Sequence, residues 1–114
     1  METPKHYEKP AEIKRLSLPQ IKSEIKDLEN KKIDRITIPE NLQRDYETKL
    51  NNAKYIYKHL QASLWIHLYN LKLWFEGKKN KPYSYRDYTN QMIKKLYYET
   101  LVMIRDIIKK DTHS

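Results

Sequence analysis

The most apolar part of the chain lies at its centre, between Tyr55 and Phe75. Apolar side chains occupy nine of the twelve positions from 64 to 75, namely Leu64, Trp65, Ile66, Leu68, Tyr69, Leu71, Leu73, Trp74 and Phe75. A helix that is apolar on nearly every side must be enclosed by other protein or lie against a membrane. Lys58 and Lys72 interrupt this stretch, and a charge at mid-membrane costs about 2.5–3.5 kcal/mol. We therefore expect no membrane-spanning helix, and attachment to an anionic membrane surface is the least favoured of the functions that the sequence leaves open.

A regular repeat of apolar positions predicts that this stretch belongs to one long helix. The residues that recur at alternating intervals of three and four, as in a packed helical seam, are Leu50, Ala53, Tyr57, Leu60, Leu64, His67, Leu71 and Trp74. Neither Pro nor Gly occurs between Pro39 and Gly77. We predict a helix over 39–76, about 57 Å long, with a bend near Asn51-Asn52 as one option. Gly77 is expected at the left-handed position just past its end.

Two similar start signals precede amphipathic segments in the first third of the chain. Ser17-Leu18-Pro19-Gln20 predicts a capping box, in which the Ser17 and Gln20 side chains satisfy first-turn amides, and hence a helix over about 18–30. Thr37-Ile38-Pro39-Glu40 repeats the pattern and predicts a second box at the start of the long helix.

Ser84, followed by Asp87, predicts the cap of a third helix over about 85–110. The intervening basic turn is short, so the second and third helices should be antiparallel. The sequence thus predicts an all-α protein with three helices: a short first helix and a long antiparallel helical hairpin. Residues 17–110 form the single domain, 1–16 a flexible N-terminal arm and 111–114 a frayed tail.

The tip of the predicted hairpin contains more aromatic side chains than two helices can cover. Exposed apolar patches of this size are rare in monomers. We therefore predict that a second copy of the chain or another protein completes the bundle there, with a folded-back N-terminal arm as the third option. The predicted interface residues are Trp65, Tyr69, Trp74, Phe75 and Tyr88.

Composition and motifs argue against catalysis. The chain has one Gly and no Cys, which removes phosphate-binding glycine loops, thiolate zinc sites and disulfides. His59 and His67 are eight residues apart, too far for a helical metal pair. We predict a non-enzymatic protein without metal or cofactor. The lack of Cys and of a secretion-like segment near Met1 predicts a cytoplasmic location.

Charge suggests a function. The chain carries a formal charge of +8, and residues 77–114 hold nine Lys/Arg against four Asp/Glu. Phosphate attraction combined with aromatic stacking is a route to nucleic-acid binding. We predict a dimeric DNA- or RNA-binding protein. Its predicted contact residues are Lys78, Lys79, Lys81, Arg86, Lys94 and Lys95, with Tyr83 and Tyr85. A Lys-rich surface that is merely solvated remains a nearly equal alternative.

A second function also fits the sequence. The chain would then be a protein–protein interaction module, a small helical subunit or inhibitor that docks through the aromatic hairpin tip onto a larger complex. A proline-started helix followed by a long helix, at Pro19 and Pro39, is similar in build to the helical subunits of replication assemblies such as the GINS family. That resemblance implies a partner that processes nucleic acid.

Overall fold

All regular secondary structure in the described part of the chain is helical. A computed structural model describes residues 15–78 and 84–112. Four α-helices follow one another: α1 (Leu18–Asn30), α2 (Glu40–His59), α3 (Gln61–Lys78) and α4 (Ser84–Thr112). A short 3-10 turn, Ile33–Arg35, lies between α1 and α2. The all-α prediction is confirmed, but there are four helices where the sequence predicted three.

The first helix begins as its sequence predicts. The Ser17 amide donates to Gln20 Oε1 over 2.8 Å, and the Gln20 amide donates to Ser17 Oγ over 3.4 Å. Pro19 occupies the first turn, where no backbone amide has an intrahelical acceptor. The capping box is therefore formed, and α1 covers the predicted range.

The second predicted capping box is absent. Pro39 is the N-cap of α2, and no side chain caps that end of the helix. Ile38, which the box would have placed inside the helix, is instead buried before α2 starts. Its carbonyl accepts a 3.2 Å hydrogen bond from the Gln43 side-chain amide. Burial of Ile38 in the core delays the helix start to Glu40, two residues later than a cap at Thr37 requires.

The predicted long helix over 39–76 is wrong, because the chain turns at Leu60. The Leu60 backbone leaves the helical region (φ −138°, ψ 60°) and separates α2 from α3. No bend is needed at Asn51-Asn52, which lies within α2. The largest dimension of the molecule is 45 Å, shorter than the roughly 57 Å of a straight helix over this range. The turn at Leu60 lets both helices pack against α4.

The core consists of two clusters along α3 and α4. The first cluster contains Ile21, Ile25, Leu64, Leu68, Leu101 and Ile104. The second cluster contains Ile38, Leu42, Leu71, Met92 and Leu96. The start of α2 thus lies beside the end of α3, and the start of α4 lies there too. Hence α3 is antiparallel to both α2 and α4, and α2 and α4 run in the same direction.

This arrangement changes what surrounds the predicted hairpin. Helix α1 contacts α4 and the 3-10 turn, and it contributes to the core beside Leu64 and Leu68. The end of the α3–α4 hairpin has a third neighbour, because Leu42, Tyr46 and Leu50 of α2 pack there. The premise of a two-helix tip is therefore wrong.

The ends of the last two helices also differ from the predictions. Gly77 lies within the last turn of α3 and has no positive φ, so it is not the left-handed cap. Asp111 and Thr112 belong to α4, whereas the tail was predicted to fray from residue 111. The N-terminal arm lies outside the described residues up to position 14, and so do the last two residues of the tail.

Hydrogen bonds from three tyrosine hydroxyls connect α4 to α1 and to α2. Tyr97 donates to Glu24 Oε2 of α1 over 2.5 Å, and Tyr98 donates to Glu29 Oε1 over 3.2 Å. Tyr46 of α2 donates to Glu99 of α4. Charged acceptors make these bonds stronger than neutral ones. They fix the positions of α1 and α2 along the axis of α4.

Candidate nucleic-acid interface

The predicted basic residues lie around the connection between α3 and α4. Lys78 is the last residue of α3, and Tyr85 and Arg86 lie in the first turn of α4. Lys79, Lys81 and Tyr83 lie between them, outside the described residues. Because α3 and α4 are antiparallel neighbours, these two helices hold Lys78 and Arg86 at the same end of the bundle.

Lys94 extends this basic end along the side of the bundle. It is half-buried, and its Nζ lies 5.3 Å from the centroid of the Phe75 ring across the α3–α4 interface. An ammonium group at this distance from a ring is attracted by about 0.5–1 kcal/mol at an exposed site. A cation and an aromatic ring therefore share one surface here.

Lys95 has a different role in the structure. Its Nζ donates to the Ile36 carbonyl over 3.2 Å and lies 6.0 Å from the Tyr46 ring. Lys95 thus ties the connector before α2 to α4. Its ammonium group already has a protein acceptor, so it contributes less than Lys94 to an external phosphate contact.

The predicted interface aromatics are half-buried where the structure describes them. Trp65 packs on the first cluster and Trp74 on the second. The Lys49 Nζ lies 5.0 Å from a Trp74 ring centroid. Tyr88 lies in the second turn of α4. Part of the aromatic surface that the sequence assigned to a partner is therefore covered by α2.

A smaller apolar stripe remains on the outer side of α3. Ile66, Tyr69 and Leu73 are spaced three and four residues apart and so share one helix face. Ile66 and Tyr69 are half-buried, and Leu73 is 40% exposed. We call these three residues the outer α3 stripe. Leu73, five residues before Lys78, is the member of this stripe nearest to the basic end of the bundle.

Buried polar atoms without a hydrogen-bond partner occur on α3 and α4. They are His67 Nε2, Asn70 Oδ1 and Asn90 Oδ1. Burial, together with the nearby Lys49 charge, lowers the pKa of His67. His67 is therefore a neutral residue between α3 and α2 near neutral pH. In residues 15–78 and 84–112, no group of three or more potential ligands is arranged to hold a metal ion.

One open cleft lies away from the basic end, where α1 meets the 3-10 turn and α4. Its volume is about 540 Å³, and it is lined by Glu29, Asn30, Lys32, Asp34, Arg35 and Tyr98. Two cations and two anions line the same space. Such a mixture favours neither a phosphate nor a cation as ligand.

Sequence reasoning missed the inward role of Lys95 and the paired Tyr and Glu residues. A tyrosine is a common helix-surface residue, and only tertiary structure brings Tyr97 to Glu24, 73 positions away. The one available signal was that Glu24 lies one residue before the apolar Ile25 of α1.

Comparison with known protein families, curated proteins and solved structures finds no match to this chain in any of the three. None of the described helices combines the length and the apolar character that a membrane-crossing segment needs.

Proposed function

We propose that the protein binds DNA or RNA through the basic end of the bundle, where α3 leads into α4. One observation carries the proposal: residues 77–114 hold nine Lys/Arg against four Asp/Glu, whereas 39–76 hold five against four. Lys78, Lys79, Lys81 and Arg86 are the principal phosphate contacts. Lys94 adds a fifth cation beside the Phe75 ring.

Binding of this kind depends mainly on the phosphate backbone. Each neutralised phosphate releases counterions, so affinity for duplex DNA falls with a log–log salt slope of about −0.9 per contact. Four contacts give a slope near −3.6, or a loss of about 10²-fold between 50 and 200 mM salt. Tyr83 and Tyr85 can add base stacking on single strands. Such a site recognises the phosphate charge and the exposed faces of the bases, and it does not distinguish one base sequence from another.

The proposed protein is a dimer without catalytic activity. A second copy doubles the number of basic ends and so the number of phosphates that one complex contacts. The apolar outer α3 stripe, with Leu73 40% exposed, gives a reason for association. Both properties are compatible with a cytoplasmic protein.

Charge reversal at the basic end tests this proposal. Lys78→Glu with Lys79→Glu should lower affinity for a random oligonucleotide about 10-fold or more and reduce the salt slope by about 2. The matched control is Lys22→Glu with Lys26→Glu, the same change in net charge on exposed positions of α1. Fluorescence anisotropy measures both. Equal losses in the two variants, or unchanged affinity at the basic end, would refute the proposed site.

A second candidate function is a protein–protein module that docks on a nucleic-acid-processing complex. The outer α3 stripe supports it, because a half-exposed apolar face is typical of a docking surface. Leu73→Glu should then abolish complex formation and leave nucleic-acid affinity unchanged. Tyr55→Glu is the control, because Tyr55 is 59% exposed but lies on α2. Trp74 is less suitable, since it packs on the second cluster.

A further inference from the structure

The single-residue turn at Leu60 divides the molecule into two halves that depend on each other. Within the described residues, no Cα atom of α1 lies within 8 Å of a Cα atom of α2, and both helices pack on the α3–α4 hairpin. Each core cluster contains residues from both sides of Leu60. The packing of the carboxyl-terminal half (α3 and α4) therefore holds the amino-terminal half (α1 and α2) in place. The covalent link between the two halves is the backbone at Leu60.

The sequence around this turn is that of a continuous helix. No Pro or Gly lies between Pro39 and Gly77, and the apolar seam crosses Leu60 without a change of spacing. Leu60 is 52% exposed, although the other seam residues with described side chains are buried or half-buried. The turn therefore opposes both the local helical preference and the burial of Leu60.

Straightening the turn would restore backbone hydrogen bonds. At present the Leu60 amide donates to the Ile56 carbonyl and the Ser63 amide donates to the Leu60 carbonyl, each over 2.8 Å. The first amides of α3 have no intrahelical acceptor, as at any helix start. In a continuous helix those amides would donate to the last carbonyls of α2.

We propose that this chain forms a domain-swapped dimer in which α2 and α3 become one continuous helix through Leu60. The amino-terminal half of each copy then packs on the α3–α4 hairpin of the other, with the same core contacts as in the single chain. Short hinges favour such an exchange. The two straight helices are antiparallel, and Leu60 of each copy meets its equivalent at the two-fold axis. This inference rests on the dimer of the proposed function, but it joins the two copies by exchange of their amino-terminal halves and not through the outer α3 stripe.

Proline substitution at the hinge tests the swap. Gln61 is the first residue of α3, where proline is tolerated, and Leu60 lies outside the α region that a following proline disfavours. In a continuous helix the same proline would be interior and disruptive. Gln61→Pro should lower the dimer fraction at least tenfold in light scattering after refolding at millimolar concentration. Glu40→Pro, the first position of α2, is the matched control and should leave it unchanged.

A distance measurement tests the swap in a chain whose turn at Leu60 is unchanged. The chain has no Cys, so Asn41→Cys with Glu76→Cys carries two specific spin labels. The purified dimer is formed with excess unlabelled chain, so that only distances within one chain are recorded. The swap predicts about 52 Å, the length of 35 helical residues. A much shorter distance in the dimer would overturn the swap, as would a wild-type chain that stays monomeric at millimolar concentration.

The same samples separate this inference from the proposed function. Oligonucleotide affinity of the Gln61→Pro variant is measured alongside its mass. Retained binding by a monomeric variant supports both the swap and the basic site. Dimerisation of Gln61→Pro at the wild-type level refutes the swap, whether or not nucleic acid binds. Loss of binding by Lys78→Glu with Lys79→Glu concerns the site alone.

Discussion

The hydrogen bond between Tyr97 and Glu24 provides a sharp test of how α1 is held on the bundle. Tyr97 is half-buried, packs against both core clusters and donates from its hydroxyl to Glu24 Oε2 over 2.5 Å. Tyr97→Phe removes this hydroxyl and keeps the ring. The change therefore leaves no cavity, and the only loss is the donor to a partly buried carboxylate.

The expected loss follows from the charged acceptor. A hydrogen bond to a charged group contributes about 1.5–3 kcal/mol, and partial exposure of Glu24 favours the lower end. We expect Tyr97→Phe to lower the free energy of unfolding by about 1.5 kcal/mol. For a domain of this size the melting temperature should fall by about 5–10 °C.

The assay is urea unfolding of four chains: wild type, Tyr97→Phe, Glu24→Gln and the double variant. The coupling free energy from this cycle should exceed about 0.5 kcal/mol, as expected for residues in contact. Tyr55→Phe, at a 59% exposed position, is the control and should change stability by less than about 0.5 kcal/mol. A Tyr97→Phe effect no larger than the control, or a coupling of zero, would refute this account of α1.

The bond also has a pH dependence of known sign. Burial, followed by the hydrogen bond and the charge of Glu24, raises the pKa of Tyr97 above its ordinary value of 10.0. Above pH 10 the unfolded chain loses this proton while the folded chain keeps it, so stability falls as pH rises. The stability difference between wild type and Tyr97→Phe should therefore be largest below pH 10 and narrow above it.

Three further predictions concern single positions. Gly77→Ala should raise the free energy of unfolding by about 0.5–1 kcal/mol in urea unfolding, because Gly77 is helical and the added Cβ meets nothing within 4 Å; a destabilised variant would contradict this. Lys32→Gly should raise it by a similar amount, since Lys32 has a left-handed φ of 59°; no gain would show that the turn is unstrained. Burial, followed by the charge of Lys49, lowers the pKa of His67. Below pH 6.5 the unfolded chain therefore takes up a proton on this residue more readily than the folded chain, and the free energy of unfolding falls as pH falls. His67→Gln should flatten that acid-side loss in thermal melts, and an unchanged profile would contradict the assignment.

Local signals predicted those parts of the fold that local energetics decide. The Ser17 box formed because its partners are three residues apart and need no tertiary contact. The Thr37 box failed because burial of Ile38 in the second cluster outweighed a cap at the surface. Tertiary packing of this kind cannot be read from a four-residue pattern.

The turn at Leu60 is the largest departure from the sequence prediction. Periodicity and the lack of Pro and Gly both favour a continuous helix there, and they are the strongest local signals available. The turn is favourable only because α4 offers a second place for α2 beside α3. That preference depends on contacts between residues far apart in sequence, such as Tyr46 and Glu99.

The candidate site was predictable in position more than in detail. The concentration of positive charge after Gly77 is visible in the sequence alone. The different roles of Lys94 and Lys95 cannot be predicted from the sequence. Adjacent helical residues point about 100° apart, and the neighbouring elements decide which of the two side chains makes a contact within the protein. Only the structure assigns Lys94 to the Phe75 ring and Lys95 to the Ile36 carbonyl.

The most direct test of the central claim is the mass of the full chain in solution, measured by light scattering with and without a random duplex oligonucleotide. A dimeric nucleic-acid-binding protein should show twice the 14.0 kDa chain mass alone. With the duplex it should give a joint species that dissociates as salt is raised. A species of 14.0 kDa in both conditions would contradict the account.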